Sequence, residues 1–255
     1  MQDRITREKD FFDELVVDRP TTHSLLDRFS EGFYEKGGRG RLWAPIWKST
    51  EVRGAAVLDY CCGDGKFSQH LASLGARVVG IDISPKLIER ARASASKMGM
   101  NGSSPEFMVG DAHRTPFDNS CFDFVVGNGA LHHLDLEKAY AEIARVLKPG
   151  GRAMFMEPMY HHPLLWLLRR LTPKIHTTEE KPLSLEDMEM AKKWFQACSH
   201  REHFLFAVCF APVHLLGKRA TLAVLGGVDR FDQVLIGIAP QLRRFAWLTM
   251  LEMEK

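Results

Sequence analysis

The segment Val57-Leu58-Asp59-Tyr60-Cys61-Cys62-Gly63-Asp64-Gly65 runs from an apolar stretch into a glycine-rich turn. It reads as a buried strand, a tight turn and the start of a helix. Glycines let the backbone turn sharply and approach a ligand, and the helix start offers N–H groups with no intrahelical partner. Such a loop can hold a phosphate. Here Ser68 stands where a dinucleotide loop has its third glycine, and no Lys-Ser/Thr pair of the P-loop type follows. Asp82 sits in Gly80-Ile81-Asp82-Ile83-Ser84. A carboxylate about 20 positions beyond a glycine loop can accept hydrogen bonds from both ribose hydroxyls. An Asp in such a place also suits a helix dipole; beside the glycine loop, ribose binding is the better reading. Two more clusters follow apolar runs: Gly110-Asp111-Ala112 and Asn128-Gly129-Ala130-Leu131-His132-His133. A histidine with an ordinary pKa of about 6.5 accepts a proton near neutral pH. That makes His132 and His133 candidate general bases, with Glu157 a third; His161 and His162 lie just beyond it. The bland alternative is that one of the paired histidines packs and caps the following turn. Adjacent histidines rarely converge on one ion, and no His-Glu-x-x-His or Cys-x-x-Cys spacing occurs, so no metal site is expected.

The elements that must position these residues alternate. Short apolar strands are expected at 55–60, 77–81, 105–109, 122–128 and 152–156. Helices are expected at 66–74, 85–98 and 137–147, with Ser84 as N-cap and Pro85 as the first residue of the second. Leu147-Lys148-Pro149-Gly150-Gly151 is a helix stop and a turn. This alternation predicts an α/β fold with a parallel, doubly wound sheet, whose ligands bind at the carboxyl ends of the strands. Before it, residues 1–50 carry helically spaced sets (Phe11, Phe12, Leu15, Val16; then Leu25, Leu26, Phe29, Phe33), a glycine break, and Trp43 and Trp47. They read as an N-terminal cap that, with residues 158–183 and the stretch between the last two strands, is expected to wall the substrate pocket. After it, helices are expected at 163–171, 185–197, 213–225 and 228–236, and strands at 202–210 and 244–253. The whole is expected to be one domain: cap 1–50, core 51–157 and substrate-side insertions with the last two strands over 158–255.

The 255 residues are 45% hydrophobic and 26% charged with a net charge of +2, ordinary for a globular protein and without the basic excess of a nucleic-acid surface. The longest apolar stretch, 204–213, is too short to span a membrane. No secretion signal is visible, and the five cysteines lack metal spacing, so a reduced, cytoplasmic protein is expected. Leu164-Leu165-Trp166-Leu167-Leu168, followed by Arg169 and Arg170, is either a packed helix, a lid over an apolar substrate, or a weak membrane-surface contact.

The ordered set of glycine loop, Asp82, Asp111, Asn128 and Leu147–Gly151 resembles the class I S-adenosylmethionine (SAM)-dependent methyltransferases, in particular the small-molecule branch with the ubiquinone and menaquinone methyltransferase-like enzymes. The resemblance covers residues 50–157. It implies a Rossmann-like seven-stranded sheet with an antiparallel last strand, and SAM as cofactor. By position it implies that Asp59, Cys61, Gly63 and Gly65 line the methionine end, that Asp82 holds the ribose and Ile83 packs on the adenine. It further implies that Asp111 and Ala112 face the adenine and that Asn128 and Gly129 flank the sulfonium. Family members often carry glycine or alanine where Cys61 stands. The implied activity is methyl transfer to a small-molecule acceptor, apolar or aromatic, most often through oxygen. The alternatives are methylation of RNA or protein, or a SAM-binding subunit without catalysis.

Overall fold

A computed structural model describes residues 2–18, 52–97, 104–171, 180–206, 209 and 218–255. The second apolar set of the N-terminal cap, its glycine break and Trp43 and Trp47 lie outside the described residues, as does the stretch 213–217. Seven strands form one sheet: β1 (Ala56–Tyr60), β2 (Arg77–Asp82), β3 (Glu106–Val109), β4 (Phe122–Asn128), β5 (Leu147–Pro158), β6 (Ala197–His203) and β7 (Leu248–Glu254). Their order is β3-β2-β1-β4-β5-β7-β6. The first five run parallel, and β7 is antiparallel to both β5 and β6. This is the seven-stranded sheet with an antiparallel last strand implied by the resemblance.

The chain order reverses between β1 and β4. From β1 it steps outward to β2 and β3, and then returns to β4 on the other side. Two crossover helices therefore diverge at this point and leave a crevice at the carboxyl ends of the strands. Helices α1 (Gln2–Asp18), α2 (Lys66–Ser73), α3 (Pro85–Lys97), α4 (Leu136–Val146), α5 (Pro163–Leu171), α6 (Leu185–Glu189) and α7 (Lys218–Ile238) complete the described elements. One core layer joins Leu58, Tyr60, Val125, Phe155 and Leu251 to Tyr140 and Ile143 of α4. The other joins Val57, Val126, Met154, Met156 and Met250 to Leu71 of α2 and Leu225 of α7. Alternate residues of β1, β4 and β5 thus serve opposite faces, as the strand period requires.

Several boundaries differ from the expectation; β5 already begins at Leu147, so the expected turn over 147–151 lies within it. The helix expected over 185–197 ends at Glu189 and continues only as a 3₁₀ turn, Met190–Lys193. Its start is strong: Ser184 and Asp187 form a reciprocal cap. The following residues instead run as β6 along β7, starting five positions before the strand expected at 202–210. Ala197–His203 is a polar edge strand with no apolar alternation to advertise it, while the apolar residues just beyond drew the eye. Towards the C-terminus, two expected helices are one, α7, which runs through Gly226 and Gly227 without a break. The last strand begins only at Leu248, after a 3₁₀ turn, Pro240–Phe245.

Candidate functional site

A cavity of about 210 Å³ opens at the carboxyl ends of β1, β2 and β4. Its floor is the β1–α2 turn. Cys61, Gly63 and Gly65 all have left-handed backbone, with φ of 57°, 55° and 75°. The Cys62 N–H donates to the Ile81 carbonyl at 2.9 Å and fixes the turn to β2. A Cβ added at Gly63 would meet nothing within 4 Å, so open space lies directly above the backbone. At Gly65 it would strike Phe107 at 2.6 Å and Ala91 at 2.8 Å. The first glycine leaves room for a ligand; the second lets α2 approach α3 and β3.

Asp82 is buried at the cavity wall and holds the turn from the side. One carboxylate oxygen accepts the Gly63 N–H at 2.9 Å and the other accepts the Ser84 N–H at 2.9 Å. Burial raises its pKa, opposed by these N–H groups and by His133. A carboxylate has about four acceptor positions, so capacity remains on the cavity side. Ile83, Leu87, Gly110, Asp111 and Ala112 continue this wall. Asp111 accepts the His113 N–H at 2.9 Å and faces its Nδ1 at 2.8 Å. His113 Nε2 accepts the Asp135 N–H at 3.0 Å, which places the ring proton on Nδ1 and the Nδ1–H on Asp111.

The opposite wall is Asn128, Gly129, Ala130, His133 and Leu134. Gly129 (φ 69°) ends β4, and a 3₁₀ turn, Leu131–His133, follows. Glu157 lies fully buried beneath that turn. Its Oε1 accepts the Ala130 and Leu131 N–H groups, each at 2.8 Å, and its Oε2 is 2.7 Å from His132 Nδ1. His132 is buried between Glu157 and Glu180, whose carboxylate is 3.7 Å from Nε2. Of the three base candidates, only His133 lines the cavity; His132 and Glu157 form the support below it.

Asp59 and Gly65 are not among the lining residues either. Asp59 is buried behind the turn, where the Ser68 hydroxyl donates to it at 2.5 Å. Burial pushes its pKa up to about 7, with the Ser68 bond opposing and Asp82 adding to the rise. Cys61 does line the cavity; burial, then Asp82 and Glu157, hold its thiol well above the usual range. A third group comes from the N-terminal cap, which the sequence places at the substrate pocket. Arg4, Ile5, Glu8 and Phe12, one face of α1, close the cavity from above. Glu8 Oε2 lies 3.4 Å from His133 Nδ1, Arg4 donates to the His133 carbonyl at 2.9 Å, and Phe12 meets the His133 ring edge-on at 5.2 Å. The spacing 4, 5, 8, 12 marks a helical face that mixes charge with apolar bulk, the one sequence signal available.

Residues 58–155 match the family described as a methyltransferase domain. An uncharacterized methyltransferase of Synechocystis sp. is 38% identical over 152 residues, 58% of this chain and 66% of that protein. The demethylmenaquinone methyltransferase of Lactococcus lactis is 36% identical over 119 residues, 45% of this chain and 46% of that protein. Residues 58–155 form a methyltransferase domain. The shared part spans less than two thirds of either relative's length. The crystal structure of the Synechocystis magnesium protoporphyrin IX methyltransferase with bound SAH has the same fold, with a TM-score of 0.63 at 19% identity, covering 98% of this chain and 99% of that one. SAM is the cofactor of the methyltransferase domain, and the open space above Gly63 and the remaining acceptor capacity of Asp82 fit it.

Proposed function

We propose that this methyltransferase transfers the methyl group of SAM to the oxygen of a small, apolar or aromatic acceptor, in the cavity roofed by α1. The observation that carries the reading is the meeting of two sets of residues in one enclosure. Cys61, Gly63, Asp82, Ile83, Asp111, Ala112, Asn128 and Gly129 share it with His133, Ile5 and Phe12. Relatives named for demethylmenaquinone and for aklanonic acid support a small-molecule acceptor.

SAM supplies a methyl group on a sulfonium, whose charge is lost in the transfer. In this reading Asp82 holds the ribose hydroxyls, and Ile83, Asp111 and Ala112 enclose the adenine. Cys61, Gly63, Asn128 and Gly129 bound the amino-acid end and the sulfonium, while Asp59 and Gly65 shape the turn from behind. His133 takes the acceptor hydroxyl proton on Nε2, with Nδ1 turned to Glu8. Ile5 and Phe12 offer the acceptor an apolar surface and exclude water, which strengthens the remaining polar interactions. Alignment at near-attack distance supplies most of the acceleration, and a general base adds about 10²- to 10⁴-fold.

The test is a screen of phenols, carboxylic acids, amines and quinone-like compounds for methyl transfer. An O-methylated product is expected, with His133→Ala lowering turnover at least about 10²-fold while SAM affinity changes little. Methylation only at nitrogen or carbon, or full turnover by His133→Ala, contradicts the reading.

A further inference from the structure

Helix α7 is turned inside out. Its buried side carries acids: Asp229 pairs with His203 Nδ1 at 2.9 Å, and Asp232 accepts the Phe206 N–H at 3.2 Å. These bonds, with Leu225 packed in the core, fasten the helix to the end of β6. Its outer side carries the apolar residues. Phe231, Val234 and Ile238 are 58%, 59% and 77% exposed, and their spacing of three and seven puts them on one stripe. Phe245 of the 3₁₀ turn that follows is also exposed, and Arg244 lies over its ring at 5.7 Å.

Helix α5 packs on the same face of the sheet as α7. Its Leu164 and Leu165 pack on the cluster that holds Leu225 and Val228 of α7. Its start is linked to the α7 anchor through His162 Nε2 and the Leu205 carbonyl at 3.3 Å. Trp166 and Leu167 are left exposed, with Arg170 over the Trp166 ring at 4.5 Å. Along α5, α7 and the 3₁₀ turn, the exposed charges among the described side chains have one sign. Among the described side chains of α7 and the 3₁₀ turn, Arg230 and Arg244 are exposed and Arg243 is half-buried, while both acids are buried.

We propose that the α5–α7 face docks on a membrane bearing anionic lipids, lying in the interface without crossing it. Apolar side chains flanked by arginines match the two requirements of interfacial binding, burial of apolar area and attraction to anionic headgroups. Trp166 with Arg170 suits the headgroup level. No described helix is long and apolar enough to cross. A second copy of the chain fits less well, because a two-fold contact through this stripe sets arginines against arginines. The inference does not depend on the identity of the acceptor.

The test is co-sedimentation of the full chain with vesicles of equimolar phosphatidylcholine and phosphatidylglycerol, and with phosphatidylcholine alone. Binding is expected to the anionic vesicles, with release by salt. The triple variant Phe231→Ser, Val234→Ser, Ile238→Ser is expected to weaken it at least about tenfold, and Arg230→Gln with Arg244→Gln to weaken it in the same direction. Circular dichroism and SAM affinity report that the variants remain folded, since the altered residues are exposed. Three outcomes overturn the proposal: no binding to anionic vesicles, equal binding by the triple variant, or a concentration-dependent dimer that the triple variant abolishes without any vesicle binding by the parent.

Discussion

Replacing Glu157 by Gln and by Ala separates a support from a base. Its carboxylate accepts at 2.7–2.8 Å from three buried donors, the Ala130 and Leu131 N–H groups and His132 Nδ1, with the His132 N–H a longer fourth at 3.4 Å. Each buried donor left without a partner costs about 1–3 kcal/mol. Ala therefore destabilises by roughly 3–9 kcal/mol before any cavity term, comparable with the whole stability of a domain at about 5–15 kcal/mol. Gln keeps an oxygen for the two N–H groups. Its amide can donate to His132 Nδ1 once that ring takes the other tautomer. Only the charge-assisted part is lost, about 1–2 kcal/mol. Urea unfolding with and without SAM measures both. For turnover, an amide cannot accept the proton that a carboxylate base would take. A Gln variant within about tenfold of wild-type kcat, and an Ala variant that unfolds or loses SAM, are expected; loss of a general base costs about 10²-fold or more. A Gln variant with normal stability and SAM affinity but turnover down by about 10²-fold refutes the assignment and returns Glu157 to the chemistry.

Asp59 predicts a pH dependence. Its move from 3.8 to about 7 in the folded state means that a proton is held there after the unfolded chain has released it. The associated stability is fully present below pH 3.8 and is lost as pH rises through about 7. At about 1.36 kcal/mol per pH unit it amounts to roughly 4 kcal/mol, so urea unfolding of wild type relative to Asp59→Asn is expected to decline over this window; a parallel pair of curves contradicts it. At Cys61, whose φ is 57°, Cys61→Gly relieves left-handed strain of about 1–2 kcal/mol and adds about 0.5–1 kcal/mol of unfolded-state entropy. Its midpoint is expected to stay within about 1 kcal/mol of wild type, with Cys61→Val clearly lower. Gly65→Ala combines a φ of 75° with contacts of 2.6–2.8 Å on Phe107 and Ala91; a loss of about 2 kcal/mol or more in urea unfolding is expected.

Much of the floor and side walls was legible because it is local. A strand end, a glycine turn and an acid at the next strand end sit at fixed chain separations, and the parallel fold brings Asp82, Asp111 and Asn128 to one edge whatever the rest of the chain does. The roof was legible only as a helical cap expected to wall the pocket, not as particular residues. Arg4 and Glu8 reach His133 across a separation that no local pattern encodes, and α1 is recognisable as a helix without showing where it docks. Glu157 was singled out for its place at the end of β5, but the sequence does not reveal that the β4 turn folds its N–H groups onto it. The β6 edge strand escaped for the opposite reason: its pairing with β7 is made by backbone groups, which any side-chain pattern can carry. No local pattern marks the acids of α7 as buried; the fold turns them inward onto His203 and the Phe206 N–H.

Isothermal titration of the protein with SAM tests the central claim most directly. One site per chain is expected. Asp82→Ala removes a charged acceptor and leaves the Gly63 N–H without its partner, so affinity is expected to fall by at least about 10²-fold, at about 1.5–3 kcal/mol for each hydrogen bond to the charge. A folded wild-type protein that shows no heat of binding, or an Asp82→Ala variant that binds as tightly as wild type, contradicts the account.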